Sequence, residues 1–314
     1  MSLDWEAPII KLEQELEELK KKATESGSDV GKEVTVLQKK LLAKKQEVYS
    51  NLTPWQQVQL ARHPERPLLA DYIRLTFDEF IELHGDRIFG DDLSLLGGFA
   101  RIDKHRVMLL GFNKGRTVDE KVKANFGMAH PEGYRKALRL LRLAEKYGLP
   151  VVSLIDTPAA YPGAAAEARG QAEAIGHSIM EMTTLEVPII AVVTGEGGSG
   201  GALGIAVADI VAMLSNSIYS VIPPEGCAAI LWKDSNKAPE AAEALKITAK
   251  SLLGLKVIDQ IIEEPLGGAH TDHAATAAAL RSALTRHLSV LKRVSPGKLV
   301  NRRIEKLAAM GRFK

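Results

Sequence analysis

Val187-Pro188-Ile189-Ile190-Ala191-Val192-Val193-Thr194-Gly195-Glu196-Gly197-Gly198-Ser199-Gly200-Gly201-Ala202 runs from an apolar, β-branched stretch into five glycines within seven residues. Residues 187–193 predict a strand buried on both faces, because no polar position alternates with the apolar ones. Small residues continue through Ala208, which predicts a short helix, and residues 210–214 predict the next strand. The same order occurs once before. Residues 151–155 form another apolar run, followed by Asp156-Thr157-Pro158-Ala159-Ala160-Tyr161-Pro162-Gly163 and a small-residue helix over about 164–184. Strands alternating with helices predict an α/β fold on a parallel sheet, with ligands meeting the loops that leave the strand C-termini.

Upstream, residues 97–102 and 106–112 predict strands with Asp103-Lys104-His105 as the turn, and residues 70–84 predict a helix. Residues 133–147 predict another, with Ala137, Leu140, Leu141 and Ala144 on one face; Gly148-Leu149-Pro150 stops it. Residues 8–50 differ. Ile9, Leu12, Leu16 and Leu19, then Val34, Leu37 and Leu41, recur at helical spacing on either side of a polar break at 24–32 containing Gly27 and Gly31. They predict two amphipathic helices folded as a hairpin, whose apolar stripe docks on the main domain or on a partner. The chain therefore reads as a helical arm (1–50), a main domain (51–291) and a basic C-terminal tail (292–314). In the tail eight Lys or Arg stand against one acid, Glu305, which predicts a solvated helix end.

The 314 residues suffice for one large domain or two modest ones. A net charge of +2 gives no reason to expect nucleic acid or a membrane surface as partner. The single cysteine, Cys227, excludes an internal disulfide and a cysteine-rich zinc site on this chain, and fits a reducing cytoplasm. The first residues show no signal-peptide pattern, and the longest apolar stretch, 202–214, is too short to span a bilayer. A cytoplasmic protein is expected.

A helix N-terminus offers unpaired amides and the positive end of the helix dipole, and glycines let another molecule approach the backbone. Gly197-Gly198-Ser199-Gly200-Gly201-Ala202 is therefore read as a set of amide donors for an anion or a developing oxyanion. Tight packing of helix on sheet is the other use of such residues. Gly195, Gly197 and Gly200 satisfy the dinucleotide pattern G-x-G-x-x-G, but the next strand begins near Ile210, too soon for a Rossmann unit. Ser215-Asn216-Ser217 stands where that unit's acid belongs, and no Gly-Lys-Ser/Thr follows to make a P-loop. What remains is an oxyanion hole of the kind that holds an enolate, worth roughly 3–4 kcal/mol per donor.

At Ile155-Asp156-Thr157-Pro158, Ala160-Tyr161-Pro162-Gly163 and Gly195-Glu196-Gly197-Gly198-Ser199-Gly200-Gly201-Ala202-Leu203 the chain resembles the signature loops of acetyl-CoA carboxylase carboxyltransferase alpha subunits. Asn125-Phe126-Gly127-Met128-Ala129-His130-Pro131-Glu132-Gly133-Tyr134, Pro224-Glu225-Gly226-Cys227-Ala228, Ile230-Leu231-Trp232-Lys233 and Glu264-Pro265-Leu266-Gly267-Gly268-Ala269-His270 agree with it too. The resemblance covers about residues 50–290 in detail and the arm in character. It departs at Ala159, where the family has glycine, and at Ala168, where it has an acid; Arg169, Gly170 and Gln171 follow the family.

The resemblance implies a crotonase-type fold of repeated β-β-α units with the N-terminal α-helical hairpin added. It implies transfer of a carboxyl group from carboxybiotin, held on a separate biotin carboxyl carrier protein, to acetyl-CoA, giving malonyl-CoA for fatty acid synthesis. A zinc-bearing carboxyltransferase beta subunit and biotin carboxylase are the further implied partners, in a heterotetrameric transferase with no metal on this chain. The amides of Gly200, Gly201 and Ala202 would form the oxyanion hole, and Gly197, Gly198, Ser199, Ala160, Tyr161, Gly163 and Arg169 would line the biotin side. Since the cofactor does the acid–base work, no Ser-His-Asp set is expected. A bulky residue at Gly201 is expected to cut transfer while assembly with the beta subunit survives.

Two other classes stay open: a self-sufficient crotonase-like acyl-CoA hydratase or isomerase, and a noncatalytic scaffold subunit. His130 reads equally as site lining or helix entry. Lys114, Arg116, Lys121 and Lys123 read as a solvated loop, with contact to a carboxylate or CoA phosphate as the alternative. Glu225 reads as part of a turn defined by Pro223, Pro224 and Gly226.

Overall fold

In the computed structural model, which describes residues 3–26 and 31–311, eight strands make one sheet. They are β1 (Glu79–Glu82), β2 (Leu95–Ile102), β3 (His105–Phe112), β4 (Val151–Thr157), β5 (Ile189–Gly198), β6 (Ile210–Leu214), β7 (Ile218–Ser220) and β8 (Gln260–Ile262). Their order is β1-β2-β3-β4-β5-β6-β8, with β7 paired to the far half of β5. The first three are antiparallel neighbours, and every pairing from β3 onward is parallel. The parallel part was legible in its unbroken apolar runs, which cover both faces. Val151 and Ile155 of β4 pack on one side with Ala137, Leu140 and Leu141 of helix Pro131–Lys146 and Ala174 and Met182 of helix Gln171–Thr184. Val152 and Leu154 pack on the other with Leu69 and Tyr72 of helix Leu69–Thr76 and Leu280, Leu284 and Leu288 of helix His273–Leu291.

Several predicted elements change. The helix expected over 70–84 stops at Thr76, because Phe77 turns extended (φ −104°, ψ 149°) and β1 then pairs with β2, Phe80 opposite Ala100. Only that long-range partner distinguishes the segment from a helix. The turn between β2 and β3 shortens to Asp103-Lys104, with Asp103 at φ +50°. The single helix expected over 164–184 breaks at Gly170 (φ +83°) into Ala164–Ala168 and Gln171–Thr184.

The N-terminal hairpin consists of helices Ala7–Ser26 and Gly31–Tyr49; Gly27, in its expected break, lies outside the described residues. Ile9, Leu12 and Leu16 are buried, and Trp5 Nε1 donates to Gln59 at 3.0 Å. The basic C-terminal segment departs from a solvated end. It forms helix Pro296–Ala309, with Leu299 and Arg303 buried. Arg303 donates to both Asp209 oxygens at 3.0 and 2.9 Å and to the carbonyls of Met182, Leu185 and Val187 at 2.7, 2.8 and 3.1 Å. Asp209 in turn accepts the Ile189 N–H at 2.7 Å, so one buried guanidinium ties the last helix to the start of β5. Spacing could not separate Arg303 from its exposed neighbour Arg302.

Candidate functional site

β4 and β5 end side by side, and the glycine segment expected as a loop is mostly strand. β5 continues without a break through Gly195, Glu196, Gly197 and Gly198; Gly197 pairs with Thr157 across a register shift at Asp156, and residues 196–198 pair with β7. The glycines are there because neighbouring backbone or side-chain atoms come too close for a β-carbon. A β-carbon on Gly195 would lie 2.4 Å from Asp156 Oδ1, and one on Gly197 2.9 Å from the Tyr219 ring. On Gly198 it would lie 1.8 Å from the Pro158 carbonyl oxygen, and on Gly201 2.4 Å from Ala159 C and Ala160 N. The two signature segments therefore lie directly on each other. Gly200 differs: its nearest neighbours would be Ile175 methyl groups at 3.9 and 4.0 Å.

Helix Ser199–Leu203 starts where β5 stops, and the amides of its first turn have no acceptor within the helix. Gly201 and Ala202 are buried, whereas Ser199 and Gly200 are half-buried. Of the three residues whose amides are expected to form the oxyanion hole, Gly200 is the one that is half-buried and lines a cavity. With Ser199 it lines a cavity of about 340 Å³, whose walls include Leu203, Val207, Tyr219, Leu252, Val257 and Lys306. The Gly201 carbonyl instead accepts the Tyr134 hydroxyl at 3.1 Å, and the Gly204 carbonyl accepts Ser178 Oγ at 2.6 Å. These two buried hydroxyls satisfy carbonyls that so short a helix leaves without amide donors. Burial raises the Tyr134 phenol above its usual range, which keeps it a donor.

The first loop is anchored from below. Tyr161 N–H donates to the Ala129 carbonyl at 3.0 Å, and Gln171 Nε2 donates to the carbonyls of Ala129 and Tyr161 at 2.7 and 3.0 Å. The Tyr161 ring stacks on His130 at 4.3 Å, and a β-carbon on Gly163 would enter that tyrosine ring at 2.3 Å. Of the two readings for His130 the structure displays helix entry: it is the N-cap residue of helix Pro131–Lys146, and its N–H donates to Asp92 at 2.6 Å. Ala159 is not among the residues at positive φ, so its β-carbon brings no backbone strain; Thr157 Oγ1 closes the turn on its carbonyl at 2.8 Å. Arg169 is drawn away from the expected set. Its Nε and Nη2 hold Glu132 at 3.2 and 2.8 Å, its Nη1 holds the Ala165 carbonyl at 2.9 Å, and it lies over the Phe89 ring.

Sequence reasoning missed a belt of ion pairs beneath the junction. Asp156 Oδ1 accepts the Glu196 N–H at 2.9 Å and the Lys114 ammonium at 2.5 Å. Glu196, buried within the glycine run, receives Arg62 Nε and Nη2 at 3.0 and 2.6 Å, and Arg62 Nη1 reaches Glu225. Arg66, fully enclosed, donates to the Thr194 carbonyl at 2.7 Å and clamps Glu264, which also takes the N–H groups of Asn216 and Ala269 at 3.1 and 2.8 Å. Burial alone would raise the Glu264 carboxyl; Arg66 and these donors hold it below the usual carboxylate range. Glu196 was the readable signal, since a charge inside an apolar strand end needs a buried partner. The basic run expected to be solvated is partly committed as well, Lys114 to Asp156 and Arg116 to Asp71, and Glu225, expected in a turn, stands instead in the first turn of helix Pro224–Trp232 and takes an arginine. Among the described residues no group of three or more His, Cys, Asp or Glu is placed to hold a metal, and no helix is long and apolar enough to cross a membrane.

Residues 2–311 match the acetyl co-enzyme A carboxylase carboxyltransferase-like family. The acetyl-coenzyme A carboxylase carboxyl transferase subunit alpha of Gemmatimonas aurantiaca is 55% identical over 314 residues, covering 99% of this chain and 98% of its relative. Subunit alpha 1 of Burkholderia thailandensis is 55% identical over 312 residues, covering 99% and 97%. Among solved structures, transcarboxylase 12S superimposes with a TM-score of 0.59 at 18% identity, over 72% of this chain and 42% of that one. The beta subunit of geranyl-CoA carboxylase from P. aeruginosa gives 0.56 at 18% identity, over 78% and 46%. These likenesses agree with the expected crotonase-type α/β fold. With near-complete coverage at 55% identity, the chain belongs to the family of acetyl-CoA carboxylase carboxyltransferase alpha subunits.

Proposed function

We propose that this chain is the carboxybiotin-receiving half of an acetyl-CoA carboxylase carboxyltransferase, which moves a carboxyl group to acetyl-CoA and so makes malonyl-CoA. The observation that supports the reading is the strand-to-helix junction, where close packing buries Gly198, Gly201 and Ala202 yet leaves Ser199 and Gly200 half-buried on the lining of an apolar cavity. The cavity's apolar lining suits a cofactor with an apolar ring and chain, and Ser199 and Gly200 on that lining suit an oxygen. Carboxybiotin, when bound, supplies the transferable carboxyl group and a ureido oxygen able to take negative charge. The chain's own part is positional. The Gly200 amide holds that oxygen at the positive end of a helix, and the apolar wall excludes water, which strengthens the interaction. Gly201 and Ala202, buried, fix the turn, and Tyr161 with His130 walls the neighbouring loop.

A beta subunit that carries the zinc and binds acetyl-CoA, a biotin carboxyl carrier protein and biotin carboxylase complete the reaction under this reading, in the cytoplasm. The test is reconstitution. The chain alone, a purified beta subunit alone and the two together are assayed for malonyl-CoA decarboxylation with free biotin. Turnover confined to the mixture supports the reading. Turnover of acyl-CoA by the chain alone points to a hydratase, and a mixture indifferent to loss of the Gly200 region points to a scaffold.

A further inference from the structure

Ser199 stands at φ +53°, the left-handed region where a β-carbon is unfavourable and glycine is at ease. Glycine occupies the positions on both sides, and neither is at positive φ. Within 195–201 the one residue whose backbone asks for glycine is a serine. Asp103, with a similar backbone, sits in a hairpin turn, and Lys233 and Lys246 sit at helix C-caps, where it is routine. Ser199 instead opens a helix, directly after a buried strand. Its side chain is half-buried, borders the cavity beside Gly200 and hydrogen bonds to no other described residue. A strained backbone kept at such a place points to the side chain's chemistry.

Gly197-Gly198-Ser199-Gly200-Gly201 also fits the G-x-S-x-G pattern of serine nucleophiles. A nucleophile needs a base in reach, and among the described residues no histidine or carboxylate hydrogen bonds to this hydroxyl. That leaves the hydroxyl as a donor. We propose that Ser199 Oγ is a further catalytic residue, donating a hydrogen bond to the same ligand oxygen as the Gly200 amide while that oxygen gains negative charge. The proposal rests on the carboxyltransferase reading above.

Ser199→Gly and Ser199→Ala, each in the full chain reconstituted with the beta subunit, test it. Ser199→Gly removes the hydroxyl and the backbone penalty together. Its expected signature is a Tm at or above the parent's, a kcat for malonyl-CoA decarboxylation with free biotin lower by about a hundredfold to a thousandfold, and a KM for biotin changed by less than about threefold. Ser199→Ala is expected to show the same loss of kcat at the parental Tm. A residue with a purely structural role would leave kcat at the parental value in the glycine variant, and parental kcat in either variant overturns the proposal. Gly200→Leu, assayed in parallel, separates the two ideas. If it abolishes transfer while both serine variants match the parent, the junction reading stands and the serine's role falls. If it too matches the parent, the junction reading itself falls.

Discussion

Gly198→Ala and Gly200→Ala place the same methyl group two residues apart and should have opposite outcomes. At position 198 the new carbon would lie 1.8 Å from the Pro158 carbonyl oxygen and 2.3 Å from its carbonyl carbon, where ordinary contact begins at 3.4 Å. Pro158 would have to retreat by roughly 1.5 Å, and as backbone directly after Thr157, which pairs with Gly197, it has no flexible end to give. Overpacking of this kind costs ~3 kcal/mol. For a domain of this size that lowers Tm by roughly 6–12 °C. At position 200 the methyl meets only Ile175, at 3.9 Å, and alanine is worth about 0.5–1 kcal/mol over glycine in a helix, so Tm should hold or rise slightly. Thermal unfolding of both variants by circular dichroism is the assay. A parental Tm for Gly198→Ala, or an equal fall for Gly200→Ala, would refute the backbone-contact explanation of these glycines.

Tyr134→Phe leaves the buried Gly201 carbonyl unpaired, so denaturant titration should show a loss of about 1–3 kcal/mol. Arg303→Met leaves Asp209 buried without its counter-charge, for about 3–5 kcal/mol, and adding Asp209→Asn should restore part of it; no recovery in the double variant contradicts the pairing. Burial, then the neighbouring His63 stacked at 3.9 Å, pushes the His270 ring down to about 4 from an ordinary 6.5. The folded state thus binds fewer protons than the unfolded one between those values. Its contribution is complete above pH 6.5 and is lost as pH falls towards 4, and urea midpoints at pH 7 and 4.5 should differ less in His270→Gln than in the parent.

The parallel half of the fold was legible because both faces of each strand are covered, which leaves unbroken apolar runs at 151–155, 187–193 and 210–214. β1 was not, since Phe80 and Ile81 read as one turn of helix until β2 lies beside them. The glycine segment stood out in the sequence as a candidate site, but most of what reads as a loop is the end of β5. Gly195, Gly197, Gly198 and Gly201 are glycines for the sake of Asp156, Tyr219 and Pro158–Ala160, none of which sequence spacing relates to them. That also revises the expectation for Gly201, where a bulky side chain strikes the first loop's backbone and so disturbs packing along with transfer. Arg169 followed the family in sequence, yet its guanidinium is committed to Glu132, a pairing 37 residues apart that no local pattern announces.

The most direct measurement is a structure of this chain with its beta subunit and biotin, reading the distance from the ureido oxygen to the Gly200 amide nitrogen. The account predicts about 2.7–3.1 Å. Biotin seated elsewhere, or its oxygen held by side chains with the Gly200 amide turned away, would contradict it.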